Sequence, residues 1–292
     1  MRLDELKSVA ARHVPGAGPL DFHRLSNGLV NETYRVWRDG SAYAMRVAAS
    51  NPPLGIDRAW EARLLECAAL GGVAPPLEYC DPRRGILIAR WIDGVRWTAM
   101  EVRQPANISR MAHLMRRVHA LAMPKPARLM SPLKWIDEYS EAARSSAGVK
   151  SRGGVAPRVA ASLRSTATRY LAALAALPHV EPVVCHSDLH TLNLIDRGHS
   201  LVLLDWEYAH AADPVWDLAG WSANNDFEDG LAHDLLTNYT ERPPTPGEYL
   251  RLHHLRWLYD YVCLLWYERQ GVAARTQQLE ARLMATSSGR AD

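Results

Sequence analysis

The sequence predicts an α+β fold of two lobes, a small β-rich lobe over residues 1–95 and a larger, mostly helical lobe over residues 96–292. Three observations predict it. β-Branched and aromatic residues between turn signals crowd the first hundred positions. Apolar residues recur at helical spacing through most of the remainder. Two short apolar strands interrupt that helical half, with polar, chemically capable residues at their ends.

The elements follow in order. Leu3–His13 reads as an amphipathic helix stopped by Pro15-Gly16. Leu29, Val30, Tyr34, Val36 and Trp37 lead to Asp39-Gly40, and a second run over 42–47 follows, which is a hairpin signal. After Asn51-Pro52-Pro53, the spacing of Ile56, Trp60, Leu64 and Cys67 predicts a helix over 56–70, capped by Gly71-Gly72. Runs over 77–79 and 85–91 around Asp81-Pro82 predict a second hairpin, and 92–94 a turn. Ile108, Met111, Met115, Val118 and Leu121 line one helix face. The Ser- and Gly-rich stretch 145–157 reads as a flexible connection, and 159–177 as a helix. The two short strands are 183–185 and 201–204; helices follow at about 229–239 and 247–285, separated by Arg242-Pro243-Pro244.

Composition excludes several classes. At 48% apolar and 23% charged, the chain is neither disordered nor fibrous. It has no apolar run long enough for a membrane helix and no apolar signal core at the start, so a cytoplasmic protein without membrane contact is expected. Cys67, Cys80, Cys185 and Cys263 form no C-x-x-C pair, which fits a reducing compartment. The net charge of +2 hides an asymmetry. Residues 181–241 hold twelve acids against one base, Arg197, a window that repels nucleic acid and attracts cations.

The informative segment is His186-Ser187-Asp188-Leu189-His190-Thr191-Leu192-Asn193, with Asp205-Trp206-Glu207 behind the second short strand. A phosphoryl transfer needs a hard cation held by oxygen ligands, an acceptor for the hydroxyl proton, and cationic donors on the phosphates. Asp188 can accept the proton, Asn193 and Asp205 can hold metal, and His186 is better suited to orienting the loop than to reacting. H-x-D-x4-N alone is a weak signal; Asp205 behind a second apolar strand makes the combination far rarer.

His186-x-Asp188-x4-Asn193 followed by Asp205-x-Glu207 resembles the aminoglycoside phosphotransferase and choline kinase superfamily, whose members share the two-lobed protein-kinase-like fold. The likeness runs along most of the chain. Gly28-Leu29-Val30-Asn31-Glu32-Thr33-Tyr34 looks like the family's nucleotide loop, and 43–47 looks like its third strand, with Arg46 at the usual lysine position. Arg58 and Glu61 match the helix that supplies the glutamate partner. Asp205-Trp206-Glu207-Tyr208-Ala209 and Asp213-Pro214-x2-Asp217-Leu218-Ala219 are close to the choline and thiamine kinase branch.

The resemblance implies roles. Asp188 is the catalytic base, with His186 beside it. Asn193 and Asp205 are Mg²⁺ ligands, and Glu207 is open between a metal ligand and a structural hydrogen bond. ATP is met by Asn31 and Thr33 in the loop, by Arg46 on its phosphates with Glu61 as partner, and by the hinge, including Arg90, Trp91 and Ile92, on its adenine. Asp217 braces the catalytic loop from below. Trp206, Trp221, Trp257 and Asp260 are the substrate-binding candidates, because indole faces and carboxylates attract cations; Trp216 and Trp266 are evenly divided between pocket and core. Choline kinases carry a Trp pair one helical turn apart, whereas here Asp260 stands where the partner of Trp257 is expected.

The implied activity is transfer of the γ-phosphoryl of ATP to a small cationic alcohol, thiamine or choline/ethanolamine, with an aminoglycoside as the alternative. There is no G-x-G-x-x-G, H-R-D, D-F-G or A-P-E, which argues against a protein-substrate kinase, and Ser187 replaces the arginine of H-R-D. Arg46 grips phosphate with a planar fork that never loses its charge. Two other classes stay open: a non-catalytic nucleotide-binding regulator, and a metallohydrolase built on His186, Asp188 and His190 with His210, His233 or His253-His254 recruited.

Overall fold

A computed structural model describes residues 2–25, 31–48, 55–146 and 161–288. The loop glycine Gly28 with Leu29 and Val30, the Asn51-Pro52-Pro53 turn and most of the Ser/Gly-rich stretch lie outside the described residues.

The chain forms the two-lobed kinase-like α+β fold. Helix α1 (Leu3–His13) precedes strands β1 (Asp21–Arg24), β2 (Asn31–Arg38) and β3 (Ser41–Ala48). Helix α2 (Arg58–Leu70) and strands β4 (Leu77–Asp81) and β5 (Ile86–Arg90) follow. The five strands form one antiparallel sheet in the order β1-β2-β3-β5-β4. Asp39 and Gly40 turn β2 into β3 with φ values of 49° and 75°, the two positive φ angles a type I′ hairpin demands. Asp39 then accepts the backbone N–H groups of Ala17 and Gly18 at 2.9 and 3.2 Å. Strand β1 was not expected from its sequence, Asp-Phe-His-Arg. It is an edge strand with one neighbour and mostly exposed side chains, so it needs no apolar alternation.

The sheet has two unlike faces. Tyr34, Val36, Tyr43, Met45, Val47, Ile86 and Ile88 bury themselves against Leu6, Val9 and Ala10 of α1. Thr33, Arg35, Ala44 and Arg46 alternate to the other face. Helix α2 starts at Asp57, whose side chain accepts from the N–H groups of Ala59 and Trp60, and ends at Gly71-Gly72 as expected.

The helical lobe contains α3 (Pro105–His119), α4 (Pro132–Ser146), α5 (Ala161–Ala175), α6 (Val215–Asn224), α7 (Asp229–Thr240), α8 (Pro246–Gln270) and α9 (Ala273–Ser288). Between α5 and α6 lie β6 (Val183–Cys185), a 3₁₀ turn at Thr191–Asn193, β7 (Leu194–Asp196), β8 (Leu201–Leu203) and β9 (His210–Ala212). β6 pairs with β9 and β7 with β8, both antiparallel. The partners β7 and β9 were not expected: β9 is His-Ala-Ala, without a strong strand former, and β7 has only Leu194 and Ile195 before Asp196. The helix expected over 247–285 is two helices. Gly271, at φ 70°, ends α8, and the N–H of Val272 bonds back to the carbonyl of Tyr267. Ile108, Met111, Met115 and Val118 are buried as their spacing predicts.

Candidate active site

The site is assembled where β6 and β8 end. After Cys185 the chain turns sharply, and Ser187 adopts φ 65°, a left-handed conformation costly for a residue with a Cβ. Asp217, at the start of α6, offsets that cost: its two oxygens accept the N–H groups of His186 and Ser187 at 2.9 and 2.8 Å. His119 of α3 sits 3.2 Å from the same carboxylate and 2.8 Å from the Tyr239 hydroxyl. His186 has no exposed surface. Burial lowers its pKa, so it is neutral, and its Nε2–H donates to the carbonyl of Leu204 at 2.8 Å while Nδ1 accepts from the Asp188 N–H at 3.3 Å. His186 therefore fastens the loop bearing Asp188 to the residue just before Asp205.

Asn193 closes the loop from the other end. Its Nδ2 donates to the Asp188 carbonyl at 3.0 Å and to Asp188 Oδ2 at 3.1 Å. The Asp188 side chain keeps 30% of its surface exposed, and His190 Nε2 lies 3.6 Å from its Oδ2. Burial opposes its charge, but bonds from His190 and Asn193 outweigh burial and hold its pKa below the usual carboxylate value. The result is an ionised, half-open carboxylate in a fixed orientation.

Across the cleft lies a charged network that joins the sheet to the helical lobe. Arg46 of β3 donates to Asp205 at 2.8 Å and to Glu61 of α2. Arg58 donates to Glu61 at 2.7 Å, to Glu207 at 2.9 Å and to Asn31 Oδ1 at 3.2 Å, and Asn31 Nδ2 donates to Glu207 at 2.9 Å. Glu61 and Glu207 are 3% and 5% exposed, so these are desolvated charges. Three carboxylates face two guanidiniums. One negative charge is in excess, and burial raises the pKa of Asp205 and of Glu207, the latter to about 7. The oxygen donors of Asp205 and Asn193, beside this excess of negative charge, fit a hard divalent cation. Asp205 adopts φ 58° and keeps 35% of its side-chain surface exposed.

The remaining nucleotide candidates line the sheet. Thr33 pairs with Arg46 in register. Arg90 is exposed and bound to Glu78 at 2.9 Å. The Trp91 N–H donates to the Ala42 carbonyl and its indole to Asp93, both at 3.0 Å, and Ile92 is half-buried beside it.

The substrate-side candidates sit elsewhere than expected. Trp206, Trp221 and Trp257 are 1%, 1% and 5% exposed and belong to the core of the helical lobe. Asp260 is ion-paired with Arg282 of α9. Trp216 is core, while Trp266 is half-buried and donates to the Tyr208 hydroxyl at 3.0 Å. The groups that feel the Asp188 charge are instead the half-buried Tyr208 and Tyr267 and the core residues Tyr139 of α4 and Tyr259 of α8, with Cys263. Burial first, and then negative charge that includes Asp188, raises the pKa of each. Tyr139 stacks on Trp135 at 5.5 Å, and Trp135 lies 5.9 Å from Tyr208. The i, i+4, i+8 spacing of residues 259, 263 and 267 was a readable signal, but it is also what any core helix shows. Tyr139 had none.

The acidic window is discharged by tertiary structure. Asp196 pairs with Arg110, Asp213 with Arg251, Asp226 with Arg282, Asp229 with Arg256 and Glu241 with Arg116. All these arginines come from outside residues 181–241, so the cation-attracting field expected from that stretch is largely cancelled. The metallohydrolase ligands do not gather either. Among the described residues, the one His/Cys/Asp/Glu trio close enough to share an ion is His119–Cys185–Asp217, behind the catalytic loop.

Two lobes joined by a charged cleft, with Asp188 and Asp205 at adjacent strand ends, define a phosphotransferase. The model of the phosphotransferase enzyme family matches residues 21–252, and the chain belongs to that family. It is an ATP-dependent phosphotransferase whose acceptor group is an alcohol. Among solved structures it is similar to a choline/ethanolamine kinase family protein from Mesorhizobium loti (25% identity, 99% of this chain and 95% of that one, TM-score 0.76). It is also similar to choline kinase LicA from Streptococcus pneumoniae (20% identity, 98% and 99%, TM-score 0.78). A third is macrolide 2'-phosphotransferase MphH from Brachybacterium faecium (18% identity, 99% and 99%, TM-score 0.65). No curated protein matches the chain. No helix among the described residues is long and apolar enough to cross a membrane.

Proposed function

We propose that this phosphotransferase uses Mg·ATP to phosphorylate the hydroxyl of a small, singly charged cationic alcohol of the choline, ethanolamine or thiamine kind. The observation that carries the reading is the ionised, half-exposed Asp188 held by Asn193, whose charge is felt by the half-buried phenols of Tyr208 and Tyr267. Aromatic faces bind a single cation well. A polycationic aminoglycoside needs several free carboxylates, and most of those in the acidic window are spent on arginines. The similarity to choline/ethanolamine kinases supports the same choice.

In this reading Asp188 takes the proton of the acceptor hydroxyl as its oxygen attacks the γ-phosphorus, and ADP leaves. Arg46 turns from Asp205 to the phosphates, while Glu61 keeps its guanidinium aimed into the cleft. Asn193 and Asp205 would hold Mg²⁺, which would supply positive charge against that developing on the transferred group. Glu207 is assigned to Arg58 and Asn31, and so to closing the lobes, rather than to the metal. The lobes divide at residue 95, next to the N–H···O bond by which Val95 grips Asp196. We assign the acceptor wall to the half-buried Tyr208 and Tyr267 rather than to the core residues Trp221 and Trp257.

The test is ADP release with Mg²⁺ across choline, ethanolamine, thiamine, kanamycin and neutral sugars. Turnover confined to the monocations is expected. Turnover on kanamycin alone would overturn the acceptor assignment.

A further inference from the structure

The cleft face of the sheet is laid out in three rows. Thr33, Arg46 and Leu87 are aligned across β2, β3 and β5; Arg35, Ala44 and Ala89 form the next row. Trp37 pairs with Ala42, and Trp91 joins that third row through its N–H bond to the Ala42 carbonyl. Successive rows are about 7 Å apart, two residues of strand. The first row carries Arg46. The second carries two methyl groups side by side, half-buried at Ala44 and buried at Ala89, small enough to leave a planar base room against the sheet. The third is a pair of indoles.

Arg35 reaches from the second row into the third. Its guanidinium carbon lies 4.3 Å from the centroid of Trp37 and 4.2 Å from that of Trp91. A cation between two aromatic faces is desolvated on both sides and its plane is fixed. Its Nε is buried without a partner, and its guanidinium makes no hydrogen bond or ion pair with any described residue. A guanidinium offers donors only. The ring nitrogens of a purine are acceptors, and the Trp91 N–H is already committed to Ala42, so the Arg35 guanidinium adds a donor to those of the hinge backbone.

We propose that Arg35, clamped between Trp37 and Trp91, is the donor that fixes the nucleobase and sets the preference among nucleoside triphosphates. The assignment rests on the nucleotide-binding reading above. Arg35 is a positioning residue for the base end, remote from the transferred phosphoryl group. It therefore acts on nucleotide affinity and base choice and leaves the chemical step alone.

The experiment is calorimetric binding of Mg·ADP and Mg·GDP to the wild-type protein, Arg35→Leu and Arg35→Lys, with KM and kcat for ATP alongside. Arg35→Leu should weaken ADP binding about tenfold, the loss of one charge-assisted hydrogen bond. It should shift the ADP/GDP affinity ratio toward ADP, because a donor-only guanidinium suits the O6 and N7 acceptors of guanine better than the amino-bearing edge of adenine, and leave kcat within about twofold. Arg35→Lys, which keeps the charge but loses the plane, should fall between. The thermal midpoint of each variant reports folding separately, and Arg35→Lys carries the test if Arg35→Leu does not fold. Unchanged ADP affinity and an unchanged ratio in a folded variant would overturn the role of Arg35 alone. A wild-type protein that binds neither nucleotide would overturn the nucleotide-binding reading with it.

Discussion

The sheet side of the cleft and its helical side are held by different forces. On the sheet side, Arg46 and Arg58 tie Glu61, Asp205 and Glu207 into a buried network spanning both lobes. On the helical side, Tyr139, Tyr208 and their indole neighbours pack by stacking, with the Trp266–Tyr208 hydrogen bond among them. Charged groups act over distance and tolerate few replacements, because each one removed leaves buried donors or acceptors short of a partner. Stacked aromatics share their work, so single changes there cost less. The comparison teaches where a variant should be catastrophic and where it should only retune the protein.

The largest expected effect tests the junction of the two sides. Asp188→Asn should lower kcat by about 10²–10⁴-fold, the usual contribution of a positioned base, while Mg·ADP affinity stays within a few fold. A variant retaining full turnover would remove Asp188 from the chemistry.

Next comes the sheet side itself. Glu61→Ala removes a 3% exposed partner shared by Arg46 and Arg58, which keep Asp205 and Glu207, and should destabilise the protein by about 1–3 kcal/mol, the cost of buried donors left short of an acceptor. Denaturant titration reads this directly, and a change under about 1 kcal/mol would mean the network is solvated rather than buried.

The helical side should respond more mildly and in a divided way. Tyr208→Phe removes the acceptor of the Trp266 N–H. It should raise the acceptor KM several fold, about 1 kcal/mol, without moving the nucleotide KM. Trp257→Phe, in the core, should lower stability by about 1–2 kcal/mol and leave both KM values alone. The reverse pattern would return Trp257 to the pocket wall.

The smallest effect concerns pH. Burial, then the neighbouring charge of His253 and Arg169, depresses the pKa of His254 to about 4, below its value of about 6.5 in an unfolded chain. The unfolded state then binds the proton first, so stability is lost as pH falls from about 6.5 toward 4. His254→Phe should flatten that acid-side fall in thermal midpoint relative to the parent protein, and an unaltered slope would show that His254 does not titrate there.

Legibility followed the same divide. The expected hairpins, the α2 cap at Gly71-Gly72 and the short strands before Asp188 and Asp205 all appear, because each rests on local backbone chemistry. Asp188, Asn193 and Asp205 were singled out by residue type and spacing, and they do lie together. The aromatic candidates fared differently: Trp206, Trp221 and Trp257 are core, while Tyr208 and Tyr267 are half-buried. An aromatic residue on a helix face looks the same whether that face meets another helix or a cleft.

By itself, then, the sequence determined the two-lobed α+β class, the order of most elements and the polar residues at the two strand ends, since these follow from periodicity, turn chemistry and side-chain type within short stretches. Only the tertiary structure decided which charges meet. Residues 181–241 read as strongly acidic, yet arginines from other parts of the chain neutralise much of them. Electrostatic interaction depends on distance through space, and separation along the chain does not reveal it.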